Sequence, residues 1–389
     1  MIKRVILIIL DGVGIGALPD ASAYGDERSN TIGNTAAAEN LDVPWFQKMG
    51  LGNIASIRGV APCRFPLGAF GKMAERSPGK DTVTGHWEIS GLPLTKPFPT
   101  YPHGFPLEVV RLLKTAFGRE ILGNTAASGT EIIERLGREH MDTGSPIVYT
   151  SADSVLQIAA HEEIVPLALL YEWCEKARGI MQGEHTVGRI IARPFFGKPG
   201  GFIRTENRRD YSLPPTGPTI LDGLSGRGLE VYGIGKIEDI FSRRGLTRIN
   251  HTRGSGESLS ATSAALDFTG RGLVFTNCVD FDMLYGHRND VKGMALALQE
   301  ADDQISGIAA RLGDGDLLCI TADHGCDPTT AGTDHSREYV PLLIWGPGIK
   351  PGIDLGVRDT FADLGASIFQ LLTGEKWPLG RSFAGEIYT

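Results

Sequence analysis

Cysteine is scarce and unpatterned in this sequence. The five residues, Cys63, Cys174, Cys278, Cys319 and Cys326, are odd in number, widely scattered and form no C-x-x-C pair. That argues against a disulfide framework and for a reducing compartment. Long apolar runs are missing too: no stretch approaches the ~18–20 apolar residues of a membrane span. Lys3-Arg4, the run Val5–Leu10 and then Ala21-Ser22-Ala23 have the outline of a signal peptide. The run is too short for an h-region, however, and Asp11 ends it. The expected location is the cytoplasm, with no membrane partner. Nor is there an excess of basic charge: 38 Lys and Arg against 46 Asp and Glu give a net −8. No general footprint for nucleic acid exists, so an anionic substrate has to be captured locally, by metal or by a few arginines.

What the sequence has in plenty is glycine, 51 of 389 residues, well above the usual ~7%. Without a period, this points to tight turns and backbone-lined sites. The 41% apolar and 22% charged composition is that of an ordinary globular chain, and the length suits two to three domains, or one large domain with an insertion. Short apolar runs at Val5–Leu10, Leu229–Ile234, Leu273–Val279, Leu317–Thr321 and Leu342–Trp345 read as strands buried on both faces, as in a parallel sheet. Met294, Leu298, Ala301, Ile305, Ile308 and Leu312 step at helical spacing, with Gly313 placed as a C-cap. The expected core is α/β with a mostly parallel sheet. Two proline-rich joints, Pro97 to Pro106 and Ser212 to Pro218, interrupt it. The expected organisation is a discontinuous core of residues 1–97 and 214–389, with a smaller α+β domain, 98–213, inserted.

Three of the strand-like runs end in acids. Asp11-Gly12 follows the first. Asp280-Phe281-Asp282 follows the third, with His287 beyond, and Asp323-His324-Gly325 follows the fourth. Ligands of open α/β sheets bind beyond the carboxyl ends of strands, so these acids are expected at one edge. His335 lies in the loop to the next strand. An Asp after a strand ordinarily caps a turn, and an isolated histidine ordinarily packs or faces solvent. Together, however, Asp11, Asp282, His287, Asp323, His324 and His335 exceed the needs of one ion and suit two metals. The segment Gly79-Lys-Asp-Thr-Val-Thr-Gly-His-Trp-Glu88 allows two readings. Asp81 or Thr82 caps a helix opening near Trp87, or a threonine oxygen is a nucleophile beside metal and a helix N-terminus.

These stretches resemble the prokaryotic phosphopentomutase family of the alkaline phosphatase superfamily. The resemblance is carried by Ile9–Gly16, Gly79–Glu88, Val279–Arg288, Thr321–Gly325 and Gly332–Glu338, and by Tyr149–Gln157 and Val187–Pro194 in the insertion. Ser336, where the family pattern has threonine, is the one departure. Asp-His-Gly alone marks only the superfamily; the Lys-Asp-Thr-x-Thr-Gly-His-Trp-Glu segment narrows it. The resemblance implies an alkaline-phosphatase-like core and a cap formed by the insertion. It implies two Mn²⁺ ions, one held by Asp282, His287 and His335, the other by Asp11, Asp323, His324 and Thr82. It makes Thr82 the phosphorylated nucleophile, and implies activation by a sugar 1,5- or 1,6-bisphosphate. Substrate contacts fall to Ser151, Asp153, Arg189, Arg204 and Lys236. The implied reaction interconverts ribose 1-phosphate and ribose 5-phosphate, and the deoxyribose pair. The nearest alternative, a phosphoglycerate mutase or phosphohydrolase of the same superfamily, fits less well, because those mutases use serine where Thr82 stands. A non-catalytic sugar-phosphate sensor would have lost metal ligands, and all are present. His86, Trp87 and Arg193 receive no role, and the oligomeric state stays open.

Overall fold

The run Val5–Leu10 forms the middle of an eight-stranded sheet. It lies in β1 (Arg4–Leu10), and β2 (Ala69–Met73) follows. After the insertion come β9 (Glu230–Ile234), β10 (Arg248–Asn250), β11 (Gly272–Cys278), β12 (Asp316–Thr321), β13 (Val340–Trp345) and β14 (Ile353–Arg358). The order across the sheet is β10-β9-β11-β1-β12-β13-β2-β14. The five strands from β10 to β12 are parallel. Strand β1 is buried on both faces, from Val5 through Leu10, which is why its sequence reads as an unbroken apolar run.

The computed structural model describes residues 2–151 and 154–388. The chain divides into two compact units, Met1–Pro97 with Pro215–Thr389, and Phe98–Pro214. Among the described residues no helix is long and apolar enough to cross a membrane, and the five cysteines are free.

Three local expectations need correction. Leu342–Trp345 lies in β13, which runs antiparallel to both β12 and β2. The connection from β12 contains no crossover helix, so the chain turns back instead of restarting from the same end. The helix carrying Met294 to Ile308 spans Val291–Ala309 and is capped by Ala310, not Gly313. Its exit tightens through Arg311 N–H to Ile308 O and Leu312 N–H to Ala309 O, the i→i−3 pattern that needs no left-handed glycine. The helix expected to open near Trp87 spans Thr82–Ile89. Thr, Val, Thr and Gly are poor helix formers, but the Asp81 carboxylate accepts from the Val83 and Thr84 amides at 3.1 Å each and starts the helix earlier.

The inserted unit carries β3 (Leu122–Ala126), β4 (Ile147–Thr150), β5 (Val155–His161), β6 (Arg189–Phe196), β7 (Ile203–Arg204) and β8 (Arg209–Ser212). They form one sheet, β3-β4-β5-β6-β7, with β8 also paired to β6. Alternate residues serve two clusters. Val148, Leu156, Ile158, Ile190 and Ala192 pack with helices Leu107–Phe117 and Leu167–Ile180. Ile147, Tyr149, Ala159 and Phe195 pack with Ile132 and Ile133 of helix Gly129–Thr143.

Candidate metal centre

Strands β11, β1 and β12 are neighbours, and their register sets Leu10 opposite Cys278 and Ile9 opposite Thr321. Three parallel strands therefore deliver their following residues to one edge at one level. Asp11, Asp282 and Asp323 emerge there, all buried, with His324 and His335. Asp282 sits in the irregular helical turn Phe281–Tyr285, and His287 in the next turn, Gly286–Arg288.

The acids and imidazoles form a continuous cluster. His324 Nε2 lies 3.3 Å from Asp323 Oδ2 and 3.4 Å from Asp11 Oδ1, and Thr82 Oγ1 is 3.1 Å from the same nitrogen. Asp282 faces two histidines, His335 Nε2 from Oδ1 and His287 Nε2 from Oδ2, each at 3.3 Å. The rings of His324 and His335 lie 4.0 Å apart and link the two halves. Ligand atoms within 4.8 Å of one another make three sets: Asp11, Asp323 and His324; Asp282, His324 and His335; and Asp282, His287 and Cys326. Asp282 and His324 are thus shared, and Cys326, which the sequence reading passed over, joins the cluster.

Whether these residues suit a metal can be tested on the cluster itself. Apart from the ion-pair contacts inside the cluster and to His86, Asp11 Oδ1, Asp323 Oδ2, Asp282 Oδ1 and His335 Nε2 are buried with no other hydrogen-bond partner among the described residues, a costly arrangement unless a proton or cation binds there. Atoms coordinated at about 2.1 Å lie about 3.0–3.4 Å from each other, which is the spacing found. The opposite side of each group is held by the protein. Asn277 Nδ2 donates to Asp11 Oδ2 at 2.8 Å, and the Gly12 amide donates to Asp323 Oδ1 at 3.1 Å. Nδ1 of His324 donates to the Gly325 carbonyl and Nδ1 of His287 to the Thr333 carbonyl, so Nε2 is the nitrogen that each ring turns toward the cluster and, once it gives up its proton, can offer to a metal. The donor set fits a metal.

Charge coupling points the same way. Burial pushes the Asp323 carboxyl upward, but His324 and His86 outweigh it and bring it to about 2. Burial lowers His324, yet Asp323 and Asp11 hold it well above its ordinary value. Asp282 is likewise held well below the carboxylate range against its own burial, mainly by His335 and His287. The cluster without metal is a proton-loaded ion-pair network, so cations and protons compete for it.

Sequence reading also missed how the edge is braced. His86 is fully buried; its Nδ1 lies 2.8 Å from Thr82 O and 3.1 Å from Asp323 Oδ2, and its Nε2 is 3.3 Å from Asn277 Nδ2. Gly85 allows this closeness, since a Cβ there would lie 2.1 Å from the Asp323 carbonyl oxygen. Trp87 is buried and donates from Nε1 to Ile240 O at 3.1 Å. His86 lay within a family motif but without a role, and Asn277 carried no signal of its own; the fold brings them to Asp323 and Asp11.

Lys236 stands just beyond β9, half-buried, at the start of helix Ile237–Phe241. In the inserted unit Ser151 follows β4, Arg189 opens β6 and Arg204 closes β7, while Asp153 lies outside the described residues. Asp210 gathers guanidiniums: Arg208 at 2.7 Å and Arg189 at 3.8 Å. Arg193 donates from Nε to Gln157 Oε1 at 2.9 Å. Burial first, then Arg208 and Arg204, push the Arg193 guanidinium below its ordinary value. Arg193 and Arg208, unassigned from sequence, thus lie near Arg204, with Asp210 pairing Arg208 and Arg189.

The sequence matches the metalloenzyme superfamily over residues 3–376. It is 56% identical to the phosphopentomutase of Caldanaerobacter subterraneus subsp. tengcongensis, covering 100% of this chain and 98% of that one. It is 58% identical to the phosphopentomutase of Carboxydothermus hydrogenoformans over 99% of both chains. The Leishmania mexicana phosphoglycerate mutase, solved at low cobalt concentration, shares the fold at a TM-score of 0.51 and 12% identity, over 100% of this chain and 98% of that one. With more than half its residues identical over its whole length, the chain belongs to the phosphopentomutase family, isomerases within the metalloenzyme superfamily.

Proposed function

We propose that this enzyme interconverts α-D-ribose 1-phosphate and ribose 5-phosphate, and the 2-deoxyribose pair, through a phosphothreonine at Thr82 and a 1,5-bisphosphate. The observation that carries the reading is the Thr82 hydroxyl at the first turn of its helix, 3.1 Å from His324 Nε2, the nitrogen that also faces Asp11 Oδ1 and Asp323 Oδ2. Thr84, two residues on, is occupied otherwise: its Oγ1 donates to Asp81 Oδ2 at 2.5 Å. In the forward direction the bond from phosphorus to Thr82 Oγ1 breaks as one forms to the free sugar hydroxyl, whose proton is lost. The bisphosphate then returns its other phosphoryl group to Thr82, and the vacated sugar oxygen regains a proton. A sugar 1,5- or 1,6-bisphosphate charges Thr82 at the outset.

Asp282, His287 and His335 would hold one Mn²⁺, and Asp11, Asp323, His324 and Thr82 the other. When bound, such ions make a threonine oxygen a better nucleophile and leaving group and offset phosphate charge. Asn277, Gly12 and His86 keep the carboxylates turned toward that position. Substrate contacts come from Lys236 and, in the inserted unit, from Ser151, Asp153, Arg189 and Arg204; guanidinium forks suit phosphate oxygens. The deciding experiment is a coupled assay of ribose 1-phosphate conversion to ribose 5-phosphate with added Mn²⁺. Release of free phosphate from many monoesters without isomerisation would replace this reading with that of a phosphohydrolase.

The arginine contacts make a separate prediction. Arg189→Ala is expected to lose about 100-fold in isomerisation, the scale of a misplaced substrate. It should still take up Mn²⁺ and carry phosphate on Thr82, and the ratio of phosphate released to pentose isomerised should rise. Loss of Mn²⁺, or a wild-type rate, would remove Arg189 from the substrate contacts.

A further inference from the structure

Residues 74–81 run from the end of β2 to Thr82 with no helix or strand of their own. Their peptide groups therefore need partners from elsewhere, and two buried charged side chains supply them for five of these groups. The Arg337 guanidinium, 3% exposed, donates from Nη1 to Ser77 O at 2.8 Å and Gly79 O at 2.6 Å, and from Nη2 to Glu75 O at 2.9 Å. It also reaches Glu75 Oε2 at 2.7 Å and Asp20 Oδ2 at 3.0 Å. The Glu88 carboxylate, fully buried, accepts from the amides of Arg76 at 2.9 Å and Ser77 at 2.6 Å, and from the Ser77 hydroxyl. One guanidinium thus binds the alternate carbonyls 75, 77 and 79, and one carboxylate binds the amides 76 and 77. Together they stand in for the neighbouring strands that this strap lacks.

The two anchors tie the strap to different places. Glu88 lies in the last turn of the helix that Thr82 begins. Arg337 lies two residues beyond His335, on the loop that returns to β13. Lys80 repeats the connection, with Nζ 3.1 Å from Asp26 Oδ2 and 3.4 Å from Asp334 Oδ2, and Asp26 Oδ2 also accepts from the Arg337 amide at 2.9 Å. We propose that Arg337 is a positioning residue for the Thr82 hydroxyl: by clamping the 75–79 carbonyls to the His335 loop, it sets where Thr82 Oγ1 stands relative to His324 and Asp323. This inference rests on the reading of Thr82 as the phosphate carrier. Phosphoryl transfer gains its rate from placement and electrostatics more than from covalent chemistry, so a strap without regular structure has to be held by side chains. The guanidinium spans the three carbonyls from two separate nitrogens; lysine keeps the charge but gathers its donors on one nitrogen.

The test compares Arg337→Lys with wild type in the Mn²⁺-loaded enzyme. Turnover is expected to fall about 100-fold, while KM for ribose 1-phosphate stays within about threefold and Mn²⁺ bound per chain, by elemental analysis, is unchanged. If Arg337→Lys does not fold, the double variant Glu75→Gln with Asp20→Asn replaces two carboxyl anchors of the guanidinium with amides and leaves its backbone carbonyl contacts. It should lower turnover about 3- to 10-fold at unchanged KM. Peptide mass analysis of wild type separates the two readings. No phosphate on Thr82 in wild type overturns the proposed function itself. Phosphate on Thr82 with wild-type turnover in the folded variant overturns the role of Arg337 alone. Loss of Mn²⁺, or a rise in KM matching the loss of turnover, also overturns it, because Arg337 would then support the metal loop or substrate binding.

Discussion

Thr82→Ala should lose essentially all isomerisation, a fall of about 10⁴-fold or more, because removing the group that carries a covalent intermediate leaves only binding and electrostatics. In wild type treated with a sugar bisphosphate, intact-mass and peptide analysis should find one phosphate, on Thr82. Thr84 is the internal control, since its hydroxyl is engaged by Asp81 at the helix start. Phosphate on Thr84, or an active Thr82→Ala enzyme, would show that the wrong hydroxyl has been chosen. Thr82→Ala should keep its fold: the side chain is small, and the helix start is held by Asp81, which accepts from Val83 and Thr84.

Removal of divalent cations should be nearly as severe. Thorough chelation is expected to abolish activity, and Mn²⁺ should restore it in wild type but not in Asp323→Ala, with a loss of about 10³-fold or more. Full activity in chelator would end the two-metal reading. The pH response of the stripped protein provides a further check. Asp323 is depressed to about 2, so its contribution to stability is present above the unfolded carboxyl value of about 3.9 and fades as pH falls toward 2. His324 is raised, so its contribution is present below about 6.5 and is lost as pH climbs through its higher folded value. Metal-free protein should therefore lose Tm as pH is raised through the alkaline range. Metal-loaded protein should not, because a cation held at His324 would take the place of its proton. Equal pH slopes with and without Mn²⁺ would argue against cation binding at His324.

The sequence by itself determined the strands and most of the chemistry at their ends. A strand covered on both faces has to be apolar throughout, so β1, β9, β11 and β12 stood out as unbroken runs, and the acids closing three of them were visible as breaks in hydrophobicity. The family motifs were equally legible, because they are contiguous. Tertiary structure decided three things. It set β1 between β11 and β12, partners more than two hundred and sixty residues away in sequence, and so turned three separate Asp residues into one cluster. It reversed β13, because a connection without a crossover helix carries the chain back antiparallel, and apolar content does not encode direction. It brought the Thr82 hydroxyl to His324, 242 residues away in sequence, whereas the Asp81 cap that starts the Thr82 helix is local and was open to the sequence. His86, Glu88 and Arg337 lay inside visible motifs, but nothing in the sequence told their bracing roles, and Asn277 had no pattern at all. A buried polar side chain takes its purpose from the atoms it faces, and in this protein those atoms come from distant segments that meet only when the sheet is assembled.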